Sequence, residues 1–169
     1  MHRQVFRGLA LTIVPTLAAL GGCTPPAAPP PAAIIDTAKI ADAVKGDVGQ
    51  LVTTFNAHDA AMTVAHDAPD YVGMFHGAPN VVGPEQDLAV TKRQVSDPAA
   101  KVAVSDEVVD VAKSGEMAVY RATYAFTFTD PKSKAVVTEP GNWILGYKVQ
   151  ADGTWKMAWS VVSNTGDAR

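Results

Sequence analysis

Cysteine is nearly absent from this 169-residue sequence: Cys23 stands alone, so no disulfide can form within the chain and burial must supply the stability. Long hydrophobic runs are missing too. The uncharged apolar stretch from Gly8 to Leu20 has 13 residues, whereas a helix needs about 20 to cross a bilayer. Positive charge is scarce, with 14 Lys and Arg against 17 Asp and Glu and a formal net charge of −3. Such a chain has little to offer phosphate backbones, and no nucleic-acid partner is expected. Internal repeats and charge blocks are absent as well. There is no HExxH and no cysteine cluster to suggest zinc, and Ser160 and Ser163 lie in no GxSxG context, which leaves a hydrolase triad without support.

What is present begins with the leader. His2, Arg3 and Arg7 precede the apolar run and small residues follow it, the three parts of a secretion signal. Leu20-Gly21-Gly22-Cys23 resembles the lipobox of bacterial lipoproteins. That resemblance implies cleavage before Cys23, lipid on its sulfur and new amino group, and a membrane anchor facing the periplasm. Thr24 rather than Asp follows the cysteine, which by the same resemblance points to the outer membrane where the host has one. Residues 24 to 33, TPPAAPPPAA, read as an extended tether of about 3 Å per residue. The expected organisation is a signal peptide over 1–22, a lipidated cysteine and tether over 23–33, and one domain over 34–169. Loss of the leader removes Arg3 and Arg7, leaving 12 basic residues against 17 acidic ones, a formal charge of −5.

Within the domain, apolar residues from Ile34 to Phe55 recur at steps of three and four and predict an amphipathic helix ending near Asn56. Gly46 and Gly49 weaken it and suggest a bend or close packing. Asp59 is placed to cap a short second helix through Ala60 to His66. Asp70 to His76 predicts a first strand, and Gly83-Pro84-Glu85 opens a third helix to about Val95. Four strands follow over Lys101–Ala112, Met117–Thr129, Ala135–Gln150 and Thr154–Ser163, divided by turn signals at Lys113-Ser114-Gly115, Asp130-Pro131-Lys132-Ser133 and Asp152-Gly153. Consecutive hairpins after segregated helices predict an α+β fold with a curved antiparallel sheet.

The order Phe55-Asn56-Ala57-His58-Asp59, short helix, strand from Asp70, Gly83-Pro84-Glu85, long hairpins and Asp152-Gly153-Thr154-Trp155-Lys156-Met157 resembles SnoaL-like proteins, a branch of the ketosteroid isomerase and nuclear-transport-factor-two superfamily. The resemblance spans about residues 36 to 164. It implies a cone-shaped sheet wrapped around about three N-terminal helices, a pocket open at one end, and a homodimer through the outer sheet face. Steroid isomerase chemistry does not carry over. Aligned through Asp59, Asp70 and Gly153, the family's helix tyrosine falls on Leu51, its base near Phe75 and its second acid on Leu145. A shift of one residue puts His76 at the base position. Where the family often has a histidine and an acid after the last-strand tryptophan, this chain has Trp159 and Ser160.

Strand alternation places Tyr120, Tyr124, Phe126 and Phe128 on one face of their strand, and Trp143, Leu145 and Tyr147 on one face of the next. With those faces inward, the candidate ligand pocket comprises Tyr71, Phe75, Tyr120, Tyr124, Phe126, Trp143, Leu145 and Tyr147, fitted to a hydrophobic or aromatic small molecule. The same residues could simply fill a core. Trp155, Met157 and Trp159 read as a packing face of the last strand or as the dimer surface. His76 is the candidate general base, since histidine titrates near neutrality, with Asp70 as a second acid. A histidine beside Gly77 is equally a turn residue.

His58, Asp59, His66, Asp67 and His76 invite a metal reading, but His58 and His66 are eight apart, about 12 Å along a helix, too far to share one ion. Neither a metal nor a cofactor is expected. Three functional readings follow: a lipid-anchored domain that binds a hydrophobic small molecule, a proton-transfer isomerase, dehydratase or lyase using His76, and a dimeric interaction module.

Overall fold

The computed structural model describes residues 35–166. The leader, Cys23 and the tether lie outside the described residues. The domain is α+β. Helix α1, Thr37–Asn56, is capped by Asp36, whose carboxylate accepts from the Lys39 amide at 3.0 Å. Its inward stripe is Val44, Val48, Leu51 and Phe55. Among the described residues nothing lies within 4 Å of where a Cβ would stand on Gly46 or Gly49, so no close packing there calls for a glycine. Helix α2, Ala60–Val64, starts at Asp59, which accepts from the Met62 amide. It ends two residues earlier than the sequence suggests, because the chain is already turning into strand β1, Asp67–Phe75. A two-residue strand β2, Val81–Val82, precedes helix α3, Gly83–Val95, which has Pro84 in its first turn beside Glu85.

Strands β3 (Lys101–Val111), β4 (Met117–Thr129), β5 (Val136–Val149) and β6 (Trp155–Asn164) form the long hairpins. The sheet order is β2-β1-β6-β5-β4-β3. All neighbours are antiparallel except β1 and β6, which run parallel and return the N-terminal strand to the C-terminal one. Helix α1 packs on β3 and β4, α3 packs on β1, and α2 lies between the two helices. Asn56 fastens the end of α1 to the free edge of β3: its side chain donates to the Val102 carbonyl at 2.9 Å and accepts from the Val102 amide at 2.8 Å. Among the described residues no helix is long and apolar enough to cross a membrane.

Two irregularities bend the sheet where the site is built. Between Gly146 and Tyr147 of β5 the partner strand advances from Trp159 to Met157, so Ala158 is an extra residue, a β-bulge. The expected common face of Trp155, Met157 and Trp159 is thereby split. Met157 points into the domain, whereas Trp159 lies on the outer face over Gly146, where a Cβ would collide with the indole. In β1 the pairing with β6 jumps from Asp67 to Val72, and the intervening residues turn Pro69 and Asp70 outward while Tyr71 is buried. This is why the strand begins at Asp67 rather than Asp70.

Candidate functional site

A cavity of about 470 Å³ lies between the helices and the concave face of the sheet. Leu51 and Phe55 come from α1, Thr63 from α2, Asp87, Val90, Thr91, Arg93 and Gln94 from α3, and every strand contributes. The alternation of β4 and β5 supplies Tyr124, Phe126 and Trp143, and β1 supplies Tyr71 and Phe75. Phe126 meets Phe55 edge-on, with ring centroids 6.1 Å apart, and stacks on Phe128 at 5.2 Å. Tyr124 lies flat over Gly141, and Gly73 leaves room for Tyr71, whose hydroxyl shares a 2.7 Å hydrogen bond with Ser160 Oγ. Burial and the charge of Asp87 push the Tyr71 phenol up, so it stays a neutral hydroxyl.

Of the residues expected in the pocket, Tyr71, Phe75, Tyr124, Phe126 and Trp143 line the cavity. Tyr120, Leu145 and Tyr147 do not. They point the same way but lie further along the sheet, where α1 covers them, and they pack with Val44, Val48 and Leu51 in the core. Tyr147 donates to Asp47 Oδ2 at 2.8 Å, and His66 Nδ1 lies 2.7 Å from the other oxygen of the same carboxylate. Asp47 thus organises a polar knot between α1, the α2–β1 turn and β5. His76 follows β1 at the rim of the cavity, with its ring half exposed and Nε2 3.7 Å from Glu139 Oε1. Asp70 is not its neighbour. Thrown outward by the irregularity in β1, it is exposed, pairs with Lys148 Nζ at 3.1 Å and is not part of the cavity lining. His58, at a positive φ of 61°, is spent on the Ala100 carbonyl at 3.1 Å.

The polar centre of the cavity went unrecognised in the sequence. Asp67, at the start of β1, and Asp87, one turn into α3, both line it and are only 7% and 8% exposed. No hydrogen-bond donor among the described residues reaches either oxygen of Asp67. The Asp87 carboxyl is close enough to act on it through its charge, and two buried acids this near each other resist ionising together. Burial first, then the charge of Asp87, pushes Asp67 up to about 8, with Lys156 pulling weakly the other way. Burial also raises Asp87, to about 6, with the neighbouring Asp67 carboxyl acting in the opposite direction. The pair therefore gives up its last proton at higher pH than ordinary carboxyls do. A signal was available: Asp87, Val90, Thr91 and Gln94 recur at helical spacing, which puts an acid on the inward stripe of α3.

The architecture is the cystatin-like α+β fold seen in solved NTF2-like and ketosteroid isomerase-like proteins. No protein-family model matches the sequence, and no curated protein matches it. Solved structures do. A ketosteroid isomerase-like protein from Erwinia carotovora atroseptica is 19% identical, with a TM-score of 0.62 over 75% of this chain and 96% of that one. An NTF2-like superfamily protein from Salmonella enterica serovar Typhimurium is 10% identical, with a TM-score of 0.65 over 79% and 96%. A hexachlorocyclohexane dehydrochlorinase from Novosphingobium barchaimii is 12% identical, with a TM-score of 0.66 over 77% and 88%. At these identities the likeness is one of fold.

Proposed function

We propose that this chain is an envelope lipoprotein, anchored through lipid on Cys23 and held off the membrane by its proline-rich tether, whose NTF2-like domain binds a hydrophobic or aromatic small molecule. The observation that carries the binding reading is the cavity: about 470 Å³, with a mostly apolar lining surface to which Phe55, Phe75, Tyr124, Phe126 and Trp143 contribute. Rings of this kind supply apolar contact area and stacking, and the isolated polar centre supplies orientation. The leader and Leu20-Gly21-Gly22-Cys23 support the location. A homodimer through the outer sheet face is part of the proposal, and Ile144, Trp159 and Val161 give that face apolar character.

Native mass spectrometry of the full chain, followed by denaturing extraction, tests the binding. A small apolar molecule released on unfolding, or captured from an envelope extract, is the expected result. A protein that arrives empty and captures nothing overturns it. A second reading, proton transfer, is favoured by the position of His76 at the rim near Glu139 and by the raised proton affinity of the Asp67–Asp87 pair. For that reading His76→Ala abolishes turnover of the captured molecule without abolishing its binding.

A further inference from the structure

The aromatic walls of the cavity call for an apolar ligand; the two carboxyls at its centre call for something more specific. Asp67 and Asp87 come from different elements, β1 and α3, and neither is needed to hold those elements together by an ion pair. Both are more than nine-tenths buried. Burial of unpaired carboxyls is costly, and among the described residues no donor reaches Asp67 and no cation forms an ion pair with either acid. Lys156 is the nearest influence of opposite sign, yet its ammonium is bonded to the Ala65 carbonyl. Arg93 lines the cavity from α3 but forms no ion pair among the described residues. The neighbouring hydroxyls of Tyr71 and Ser160 are bonded to each other. The site therefore has acceptor capacity left over, in a cavity that aromatic rings also line.

We propose that the Asp67–Asp87 pair is the recognition point for a protonated amine, so that the ligand of this cavity is a hydrophobic amine with an aromatic or aliphatic body. The inference rests on the small-molecule reading above and narrows its chemistry. An ammonium donates up to three hydrogen bonds, enough to engage Asp87 and the free acceptor of Asp67 together. Its charge is offset by the acid pair, and the rings of Phe75, Tyr124 and Trp143 favour a cation near their faces. An anionic ligand of the same shape meets two carboxyls at the pair, so it binds more weakly there than the amine.

Isothermal titration calorimetry of the full chain at neutral pH with three isosteres tests this: 2-naphthylmethylamine, 2-naphthylmethanol and 2-naphthoate. The amine is expected to bind at least about tenfold more tightly than the alcohol, the naphthoate more weakly than either. Asp87→Asn, nearly the same shape, should remove at least about tenfold of the amine's affinity while leaving the alcohol within about twofold. Asp67→Asn provides a second, independent loss of amine preference in case the first variant folds poorly. Binding of the alcohol with no preference for the amine overturns the amine assignment and leaves the small-molecule reading standing. Failure of all three to bind overturns both.

Discussion

Replacing Asp67 by Asn removes one member of the buried acid pair while nearly preserving its shape, and it should stabilise the protein increasingly as pH rises. The sign follows from proton binding. Unfolded, the carboxyl titrates near its ordinary 3.8; folded, burial and the charge of Asp87 hold its proton up to about 8. Between those values the folded chain carries about one proton more than the unfolded chain. The stability that this adds is fully present below about pH 4 and is lost as pH climbs through about 8. One proton corresponds to a slope of about 1.4 kcal/mol per pH unit, so from pH 5 to pH 8 the native protein loses at most roughly 4 kcal/mol that the variant keeps. Relaxation of the site and water entry reduce this to about 2 kcal/mol or somewhat more. The other groups that act on the pair, Lys156 on β6 and the tyrosines Tyr71 and Tyr147, remain in both proteins, so the difference between them reports on the acid pair. Urea unfolding followed by tryptophan fluorescence at pH 5, 6, 7 and 8 measures it. A stability difference that is the same at pH 5 and pH 8 would refute the raised proton affinity of the pair.

Asp47→Ala should cost about 2–4 kcal/mol, because it strands the buried Tyr147 hydroxyl and frees His66, with Asp47→Asn recovering part of the loss in the same urea titration. Gly146→Ala should destabilise by about 1–3 kcal/mol and change the near-ultraviolet circular dichroism, since the new methyl group displaces the Trp159 indole. Cys23→Ala should move the protein from the membrane fraction to the soluble fraction of the envelope; a variant that sediments unchanged with membranes would remove the lipid anchor from the proposed function.

The elements were legible in the sequence because their signals are local. The stripe of α1, the caps at Asp59 and Gly83-Pro84, and the turn at Asp152-Gly153 each depend on a few adjacent residues. The inward faces of β4 and β5 followed from strict alternation. What alternation could not say is how far each face runs before α1 covers it, and so Tyr120, Leu145 and Tyr147 were placed in the cavity rather than in the core. The parallel pairing of β1 with β6 is a contact between the two ends of the domain, with no local trace. The same holds for the acid pair. Asp67 sits in a stretch that reads as a turn ahead of Pro69, and Asp87 follows an acid at a helix start that suits the dipole. Only the packing of α3 on β1 makes them neighbours. Asp70, the more prominent acid, is carried outward by extra residues that no period of two anticipates.

The extra residue at Ala158 resets the parity of β6. Odd-numbered positions, Trp155 and Met157, face the interior before it, and even-numbered ones, Ser160 and Val162, face the interior after it. A mutational scan of the cavity that follows one parity along the whole strand would sample the lining for half its length and the outer surface for the rest. Libraries built on this domain should change frame at residue 158, and a substitution tolerated at position 159 says nothing about the cavity wall.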